Sequence, residues 1–159
     1  LFADGERLYL TGRVFDSACV PLRDAKVEIW QADTKGRYRY PLAGEMSNPY
    51  AVFAGAGQVQ TDNRGEYLFE TIIPEALRNQ TPYINIRISH PALRTALVTT
   101  LYFEGDVRNA KDIWYRRFSE SVKERVTAPL IPFDIDKTTR GMRVHHDITV
   151  GARDGFRGF

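Results

Sequence analysis

Two stretches of the sequence decide the fold: YINIRIS at residues 83–89 and ALVTTLYF at residues 96–103. The first alternates between apolar and polar residues, which is the period of a strand with one buried face. The second is rich in β-branched and aromatic residues, which strands favour. Both stretches are predicted to be core strands.

The N-terminal part of the chain predicts two more strands. Residues 8–15 mix apolar and polar side chains at a period near two, and residues 25–30 alternate in the same way. Between them, residues 16–21 have the composition of a connecting turn. The two strands together suggest a β-meander or the edge of a sandwich.

A tight turn is predicted at Asp62-Asn63-Arg64-Gly65, because Asn and Gly tolerate the positive φ that a short hairpin needs. The flanking residues 59–61 and 66–69 are therefore predicted to pair as a hairpin. Near the other end, residues 143–150 predict a closing strand.

One helix is predicted, over Asp106–Val126. In this segment Trp114, Phe118 and Val122 recur every four residues, and charged residues occupy the other faces. Many short strands with one late helix are typical of a mostly β protein. We therefore predict an antiparallel β-sandwich of the immunoglobulin or prealbumin type, with one late α-helix.

Composition limits both size and partners. The chain has 159 residues and a mass of 18.2 kDa, which predicts a single domain over residues 1–159. A net charge of +2 without a long basic run makes nucleic acid an unexpected partner. No apolar run could span a membrane, and the first five residues do not form a signal peptide. We therefore expect a cytoplasmic protein that does not bind a membrane.

The chain has one Cys and three His, so an internal disulfide and a Cys-rich zinc site are excluded. Cys19 lies in a predicted turn without a local cationic cluster and is interpreted as an inert thiol. His145 and His146 are adjacent, so on a strand they point to opposite faces and cannot bind one ion together. His90 precedes a proline and is interpreted as a loop residue.

Six blocks of sequence resemble, in order, the motifs of the intradiol ring-cleavage dioxygenases. The resemblance covers residues 8–106 well and the C-terminal part loosely. The blocks are residues 10–16, 20–33, 36–38, 47–50, 61–72 and 101–106.

The resemblance implies a β-sandwich in which two Tyr and two His hold a mononuclear non-haem Fe(III). A catechol chelates this iron before O₂ inserts between its hydroxylated carbons. The first ligand position falls on Tyr38, which is present, and the second falls near Leu77. The two His positions read Tyr83 and Asn85, and the Arg that usually precedes them reads Gln80. Three of the four implied iron ligands are therefore missing.

Protocatechuate 3,4-dioxygenases of this family combine an iron-bearing β chain with a homologous α chain that has lost the ligands. This sequence resembles the α type, whose strand also carries Asn in place of the second His. The resemblance implies that this chain holds no cofactor, that Fe(III) belongs to a homologous partner, and that the two bind a catechol-type aromatic molecule. No catalytic residue is assured. The residues implied to line the substrate pocket or vestigial iron cavity are Trp30, Tyr38, Leu77, Gln80, Tyr83 and Asn85.

Three alternatives stay open. In the first, the chain is a stand-alone, metal-free member of the family, whose former iron cavity binds an aromatic molecule or performs acid-base chemistry without redox. In the second, it is a plain interaction module, in which Tyr38 is only packed. In the third, iron is held by Tyr38, Tyr40 and one of the three His. The ligand set of the last alternative would join hard phenolate oxygens with neutral imidazole, which suits Fe(III).

Overall fold

The computed structural model describes residues 5–38 and 55–151. The α-helix, α1, covers Glu120–Val126, and two short 3₁₀ turns precede it at Asn109–Lys111 and Tyr115–Arg117. The strands are β1 (Arg7–Phe15), β2 (Lys26–Gln31), β3 (Ala56–Gln60), β4 (Glu66–Ile72), β5 (Tyr83–Ser89), β6 (Leu97–Phe103), β7 (Thr127–Ala128), β8 (Ile131–Asp134), β9 (Arg140–His145) and β10 (Ile148–Thr149).

The strands form two sheets. In the first sheet, β1 pairs with β4 on one side and with β9 and then β10 on the other, and β8 extends the sheet beyond β9. The second sheet has the order β3-β2-β5-β6-β7. Pairing is antiparallel except between β1 and β9, between β1 and β10, and between β6 and β7, within the described part of the chain. The predicted β-sandwich with a late α-helix is confirmed.

The core lies between the two sheets because alternate residues of their strands point inward. In β5 the inward side chains are Ile84, Ile86 and Ile88, all without exposed surface. Burying a side chain of this size contributes about 1.5–3 kcal/mol. The other residues of β5, beginning with Tyr83 and Asn85, therefore lie on the outer face of the second sheet.

The predicted hairpin at residues 62–65 is wrong, although the turn itself forms. Asp62 Oδ1 accepts the N–H groups of Arg64 and Glu66, and Gly65 takes a φ of +74°. However, β3 pairs with β2 while β4 pairs with β1 over seven residue pairs. The turn thus carries the chain from one sheet to the other. The predicted meander of the first two strands is wrong for the same reason, because β1 and β2 lie in different sheets.

The long predicted helix is also wrong in its first two thirds. Asp112 accepts the backbone N–H groups of Trp114 and Tyr115, which holds a turn instead of a continuing helix. At Phe118 the backbone is extended, and Ser119 then caps α1 by accepting the N–H of Val122. The period of four that included Trp114 therefore does not describe one buried face, since this Trp is about half exposed.

The closing strand at residues 143–150 is interrupted. β9 ends at His145 and β10 begins at Ile148, because His146 donates its N–H to Thr11 and accepts the Tyr67 hydroxyl at 2.6 Å. His145 is exposed and His146 is buried, but His146 lies outside β9 and both residues line one cavity, so the predicted opposite faces of a strand do not describe this pair. Within the described residues, no helix has the length and apolar character needed to span a bilayer.

Candidate functional site

A cluster of phenols lies on the outer face of the second sheet. Tyr83 on β5 pairs directly with Tyr102 on β6, and their ring centroids are 5.9 Å apart. The Tyr38 phenol shares a hydrogen bond with Tyr83 and another with Asn85. Three of the residues expected to line the pocket, Tyr38, Tyr83 and Asn85, are therefore brought together.

Strand pairing and a short loop explain this arrangement. Trp30 on β2 lies opposite Asn85 on β5, and the Asn85 side chain donates a hydrogen bond of 3.3 Å to the Trp30 carbonyl. After β2, the chain turns at Asp33, whose Oδ1 accepts the N–H groups of Lys35 and Arg37. A bridge between Ala32 and Tyr38 then brings Tyr38 back beside the sheet.

The segment before α1 covers one side of the phenol cluster. Tyr115 and Phe118 pack against the Tyr102 ring with centroid distances of 4.9 and 6.0 Å. Because of this cover, Tyr102 is only 3% exposed although it lies on the outer face. The segment thus forms a wall of the site.

Buried polar contacts fix that wall to the start of β5. Asp112 is 1% exposed, and its Oδ2 accepts the backbone N–H of Thr81 at 2.9 Å. The Thr81 hydroxyl donates to Asn109 Oδ1 at 2.6 Å, and Asn109 in turn donates to the carbonyl of Phe103 at 2.8 Å. These four residues connect β5, β6 and the segment between β6 and α1.

Electrostatics favour neutral phenols in this cluster. Burial raises the pKa of Tyr38, and the hydrogen bond with Tyr83 raises it further, against a smaller lowering by Asn85. Burial also raises the pKa of Tyr102, with an added contribution from the nearby Asp112 carboxylate. Both side chains therefore remain hydrogen-bond donors at neutral pH rather than phenolates.

The remaining two predicted pocket residues lie in the loop between β4 and β5. Leu77 is half exposed and lies against Gly36, where an added Cβ would be 3.2 Å from a Leu77 methyl carbon. The Gln80 N–H donates to the Leu77 carbonyl at 3.0 Å and closes a turn. Leu77 therefore borders the loop that carries Tyr38, while the Gln80 backbone shapes the entry to β5.

Comparisons with known proteins identify the family. A family model described as "Dioxygenase" matches residues 3–151. The chain is 32% identical to the protocatechuate 3,4-dioxygenase beta chain of Burkholderia cepacia, over 94% of this chain and 66% of the relative. It is also 32% identical to the alpha chain of Pseudomonas putida, over 69% of this chain and 55% of the relative. The chain belongs to the intradiol ring-cleavage dioxygenase family.

Solved structures agree with this membership. The dioxygenase domain of a dioxygenase and carbohydrate-binding protein fusion from Streptomyces sp. SirexAA-E superposes with a TM-score of 0.70 at 27% identity. The match covers 93% of this chain and 81% of the Streptomyces chain. The chain spans about half to two thirds of the length of the curated relatives that it matches, from 46% to 66%. The two matches have equal identity, although the beta-chain match covers more of this chain than the alpha-chain match does, so identity alone does not assign a type.

The residues of the phenol cluster do not fit the Fe(III) site of an intradiol dioxygenase. The positions expected for imidazole hold Tyr83 and Asn85, and the Asn85 amide is bound to the Trp30 carbonyl. The Tyr38 phenol is bound to neighbouring side chains and favours its neutral form. In residues 5–38 and 55–151, no group of three or more His, Cys, Asp or Glu side chains could hold a metal ion.

The alternative iron set of Tyr38, Tyr40 and one His also finds no support in the geometry. Tyr40 lies outside the described residues. His90 is held in a loop, where its Nδ1 accepts the N–H of Ala92 and its Nε2 donates to the Arg23 carbonyl at 3.1 Å. His145 and His146 lie beside β1 in the first sheet, whereas Tyr38 lies beside the second sheet. No step through iron is therefore assigned to this chain.

Sequence reasoning missed Tyr102 and Asp112, which belong to the cluster and its support. Tyr102 was within a predicted strand, but only the register of β5 and β6 shows that it faces Tyr83. Asp112 lies within the predicted helix, and no role was predicted for it. Asp112 accepts the N–H groups of the residues two and three positions later in the chain. An Asp at this spacing is typical of a turn, and this is the signal by which the sequence could have indicated its role.

Proposed function

We propose that this chain is an α-type, non-catalytic subunit of a protocatechuate 3,4-dioxygenase-like enzyme. It walls the pocket for a catechol-type substrate beside a homologous β-type chain that carries Fe(III). The single observation that carries the proposal is the hydrogen-bonded group of Tyr38, Tyr83 and Asn85. The sequence resemblance assigns these three residues to ligand positions of the family. The polar groups of these side chains form hydrogen bonds within the cluster instead of providing a set of metal ligands.

The cluster is suited to contact an aromatic substrate. The Tyr38 and Tyr83 hydroxyls can donate to substrate oxygens, and aromatic rings such as Tyr102 supply apolar area. About 38% of Tyr38 remains exposed, so a molecule outside this chain can reach it. In the proposed enzyme, ring opening takes place at the partner's iron, and this chain contributes binding and orientation.

Metal content and activity test the proposal directly. The purified chain alone is expected to contain no stoichiometric iron, to lack the visible absorption of tyrosinate bound to Fe(III), and to leave protocatechuate uncleaved. Co-expression with a homologous chain that carries the full ligand set is expected to give a complex with iron and ring-cleaving activity. Stoichiometric iron together with activity in the isolated chain would overturn the proposal.

A matched pair of variants tests the contribution to the pocket. In the complex, Tyr38→Phe is expected to raise KM for the catechol about 5- to 20-fold, as expected for a lost hydrogen bond of about 1–2 kcal/mol. The control is Tyr9→Phe, which removes a phenol bound to Glu70 on the first sheet. The pocket role is contradicted if both variants leave KM unchanged.

A second candidate function is a stand-alone protein that binds an aromatic molecule without metal. The exposure of Tyr38 favours it, since the cluster is reachable without a partner. In that case the isolated chain binds a phenol at the cluster, Tyr38→Phe and Tyr83→Phe each weaken binding, and no partner chain increases it. Purification as a complex with an iron-bearing homologue argues against this second function.

A further inference from the structure

A cavity of about 520 Å³ lies on the opposite side of β6 from the phenol cluster. It opens at the edge of the sandwich, where β6 and β7 of the second sheet face the end of β9 and the start of β10 in the first. Its volume is within the range of about 300–1,000 Å³ that is common for small-molecule sites. The lining residues used below are Leu97, Thr99, Val126, Thr127, His146 and Ile148.

Two buried polar side chains in this cavity have no hydrogen-bond partner. His146 and Thr99 are each only 7% exposed. Among residues 5–38 and 55–151, neither the His146 ring nor the Thr99 hydroxyl makes a hydrogen bond with the protein. Neither residue contributes a side-chain atom that is sealed from solvent without a hydrogen bond, so their polar atoms open onto the cavity. Because these polar atoms are accessible from the cavity, a molecule within it can hydrogen-bond to both of them.

The charges around the cavity favour a neutral partner. Burial lowers the pKa of His146 to about 4, so its ring is neutral at pH 7 and one nitrogen can accept a hydrogen bond. The charged residues at the cavity are Glu124, Arg125 and Asp147, which provide no excess of positive charge for an anion. A charged ligand would also lose its hydration against the apolar wall of Leu97, Val126 and Ile148.

We propose that this cavity is a second small-molecule site, which takes a neutral hydroxylated organic compound. The ligand hydroxyl donates to the His146 ring and accepts from the Thr99 hydroxyl, and the ligand's apolar body packs against Leu97, Val126 and Ile148. The site does not depend on the function proposed for the phenol cluster, because it uses different side chains on the other face of the sheet.

One contact connects the two sites. Thr127, which lines the cavity, shares a hydrogen bond of 3.0 Å with the Tyr115 hydroxyl. The Tyr115 ring is in turn 4.9 Å from the Tyr102 ring in the phenol cluster. A ligand in the cavity therefore lies two contacts away from the wall of the proposed substrate pocket.

Phenol and toluene provide a matched pair of probes, because they have nearly the same shape and only phenol has a hydroxyl. The full chain, labelled with ¹⁵N on histidine, is titrated with each probe while the imidazole signals are followed by NMR. Phenol is expected to shift the His146 ring signals saturably, and toluene is expected to bind at least 10-fold more weakly. The proposal is overturned if phenol leaves the His146 signals unchanged up to its solubility limit, or if toluene binds as tightly as phenol.

Variants separate this cavity from the phenol cluster. Thr99→Val keeps the shape of the side chain and is expected to weaken phenol binding 5- to 20-fold, whereas Tyr38→Phe is expected to leave the His146 shift unchanged. If Tyr38→Phe abolishes the shift, phenol binds on the outer face and the cavity proposal is wrong. If Thr99→Val has no effect on the phenol affinity, the polar pair has no role and the proposal is also wrong.

Discussion

The Thr71 hydroxyl on β4 donates a hydrogen bond of 2.8 Å to Gln31 Oε1 on β2, and this bond joins the two sheets inside the core. The Gln31 amide then donates to the carbonyl of Ile72 at 2.7 Å. Neither Gln31 nor Thr71 has exposed surface, so each depends on the other for its hydrogen bond. Gln31 therefore connects the two sheets through two hydrogen bonds within an apolar interior.

Replacement of Thr71 by valine tests this connection. The variant keeps the shape but leaves Gln31 Oε1 buried without a donor, which should lower the free energy of unfolding by about 1–3 kcal/mol. Urea denaturation measures the loss. The control, Thr34→Val at an exposed position, should stay within about 0.5 kcal/mol of the parent. A Thr71 variant as stable as this control would show that the bond contributes nothing.

Replacement of Asp112 by asparagine should loosen the wall of the phenol cluster. The carboxylate accepts three backbone N–H groups, from Thr81, Trp114 and Tyr115. Hydrogen bonds to a charged acceptor contribute about 1.5–3 kcal/mol each, and the asparagine NH₂ would face an N–H donor. We expect a loss of about 2–4 kcal/mol in unfolding free energy, with shifted NMR signals of the Tyr102 ring.

The matched control for Asp112 is Asp134→Asn. Asp134 is an exposed carboxylate paired with Arg140 at 3.2 Å. Exposed ion pairs contribute about 0–1 kcal/mol, so this variant should unfold almost as the parent does. Equal effects of the two variants would mean that the Asp112 contacts have no special role.

Burial of His146 predicts a loss of stability in acid. The pKa of its ring is about 4 in the folded chain and 6.5 for the free side chain, so between these values the unfolded state binds more protons. Stability is therefore complete above pH 6.5 and falls as the pH drops toward 4, by up to about 3 kcal/mol. The titratable and charged residues around the ring and its cavity are His145, Asp147, Glu124 and Arg125, and a variant at position 146 leaves all four in place.

The measurement compares urea denaturation of the parent and His146→Gln between pH 7 and pH 4. The difference in unfolding free energy should change with pH, because only the parent has to protonate this buried ring. If the parent and His146→Gln respond identically to pH, His146 is not buried in its neutral form.

The phenol cluster predicts tyrosines that ionise late. Because the pKa values of Tyr38 and Tyr102 are raised above 10, their phenols should stay protonated beyond pH 10 while accessible ones ionise. Spectrophotometric titration near 295 nm should count fewer than the eight tyrosines in the folded chain and all eight in urea. Tyr38→Phe should remove one late phenol and leave the early group unchanged. If Tyr38→Phe instead removes one of the phenols that ionise early, the Tyr38 side chain is exposed to water rather than buried in the cluster.

The local periodicity of the sequence predicted the strands that form the site. β5 begins at Tyr83 and ends at Ser89, the same bounds as the alternating stretch, because its inner face is wholly apolar. Local pattern was sufficient wherever one face of a strand meets the core.

Contacts between distant residues decided what the sequence did not predict. The turn at Gly65 has hairpin chemistry, yet β4 forms its ladder with β1 rather than with β3. Asp112 stopped the predicted helix through bonds that include Thr81, which lies 31 residues earlier. Tyr102 joined the cluster through strand register. None of these pairings leaves a periodic trace in the sequence.

The position of β1 also affects how the chain folds. β1 lies inside its sheet, but β9 and β10, its neighbours on one side, come much later in the chain. Contacts such as Thr11 with His145 span 134 residues, and such high contact order is associated with slow folding. During translation β1 therefore keeps an open edge until residues 140–149 emerge. This interval is when the nascent chain is most exposed to strand pairing with other chains, and when chaperones would help it most.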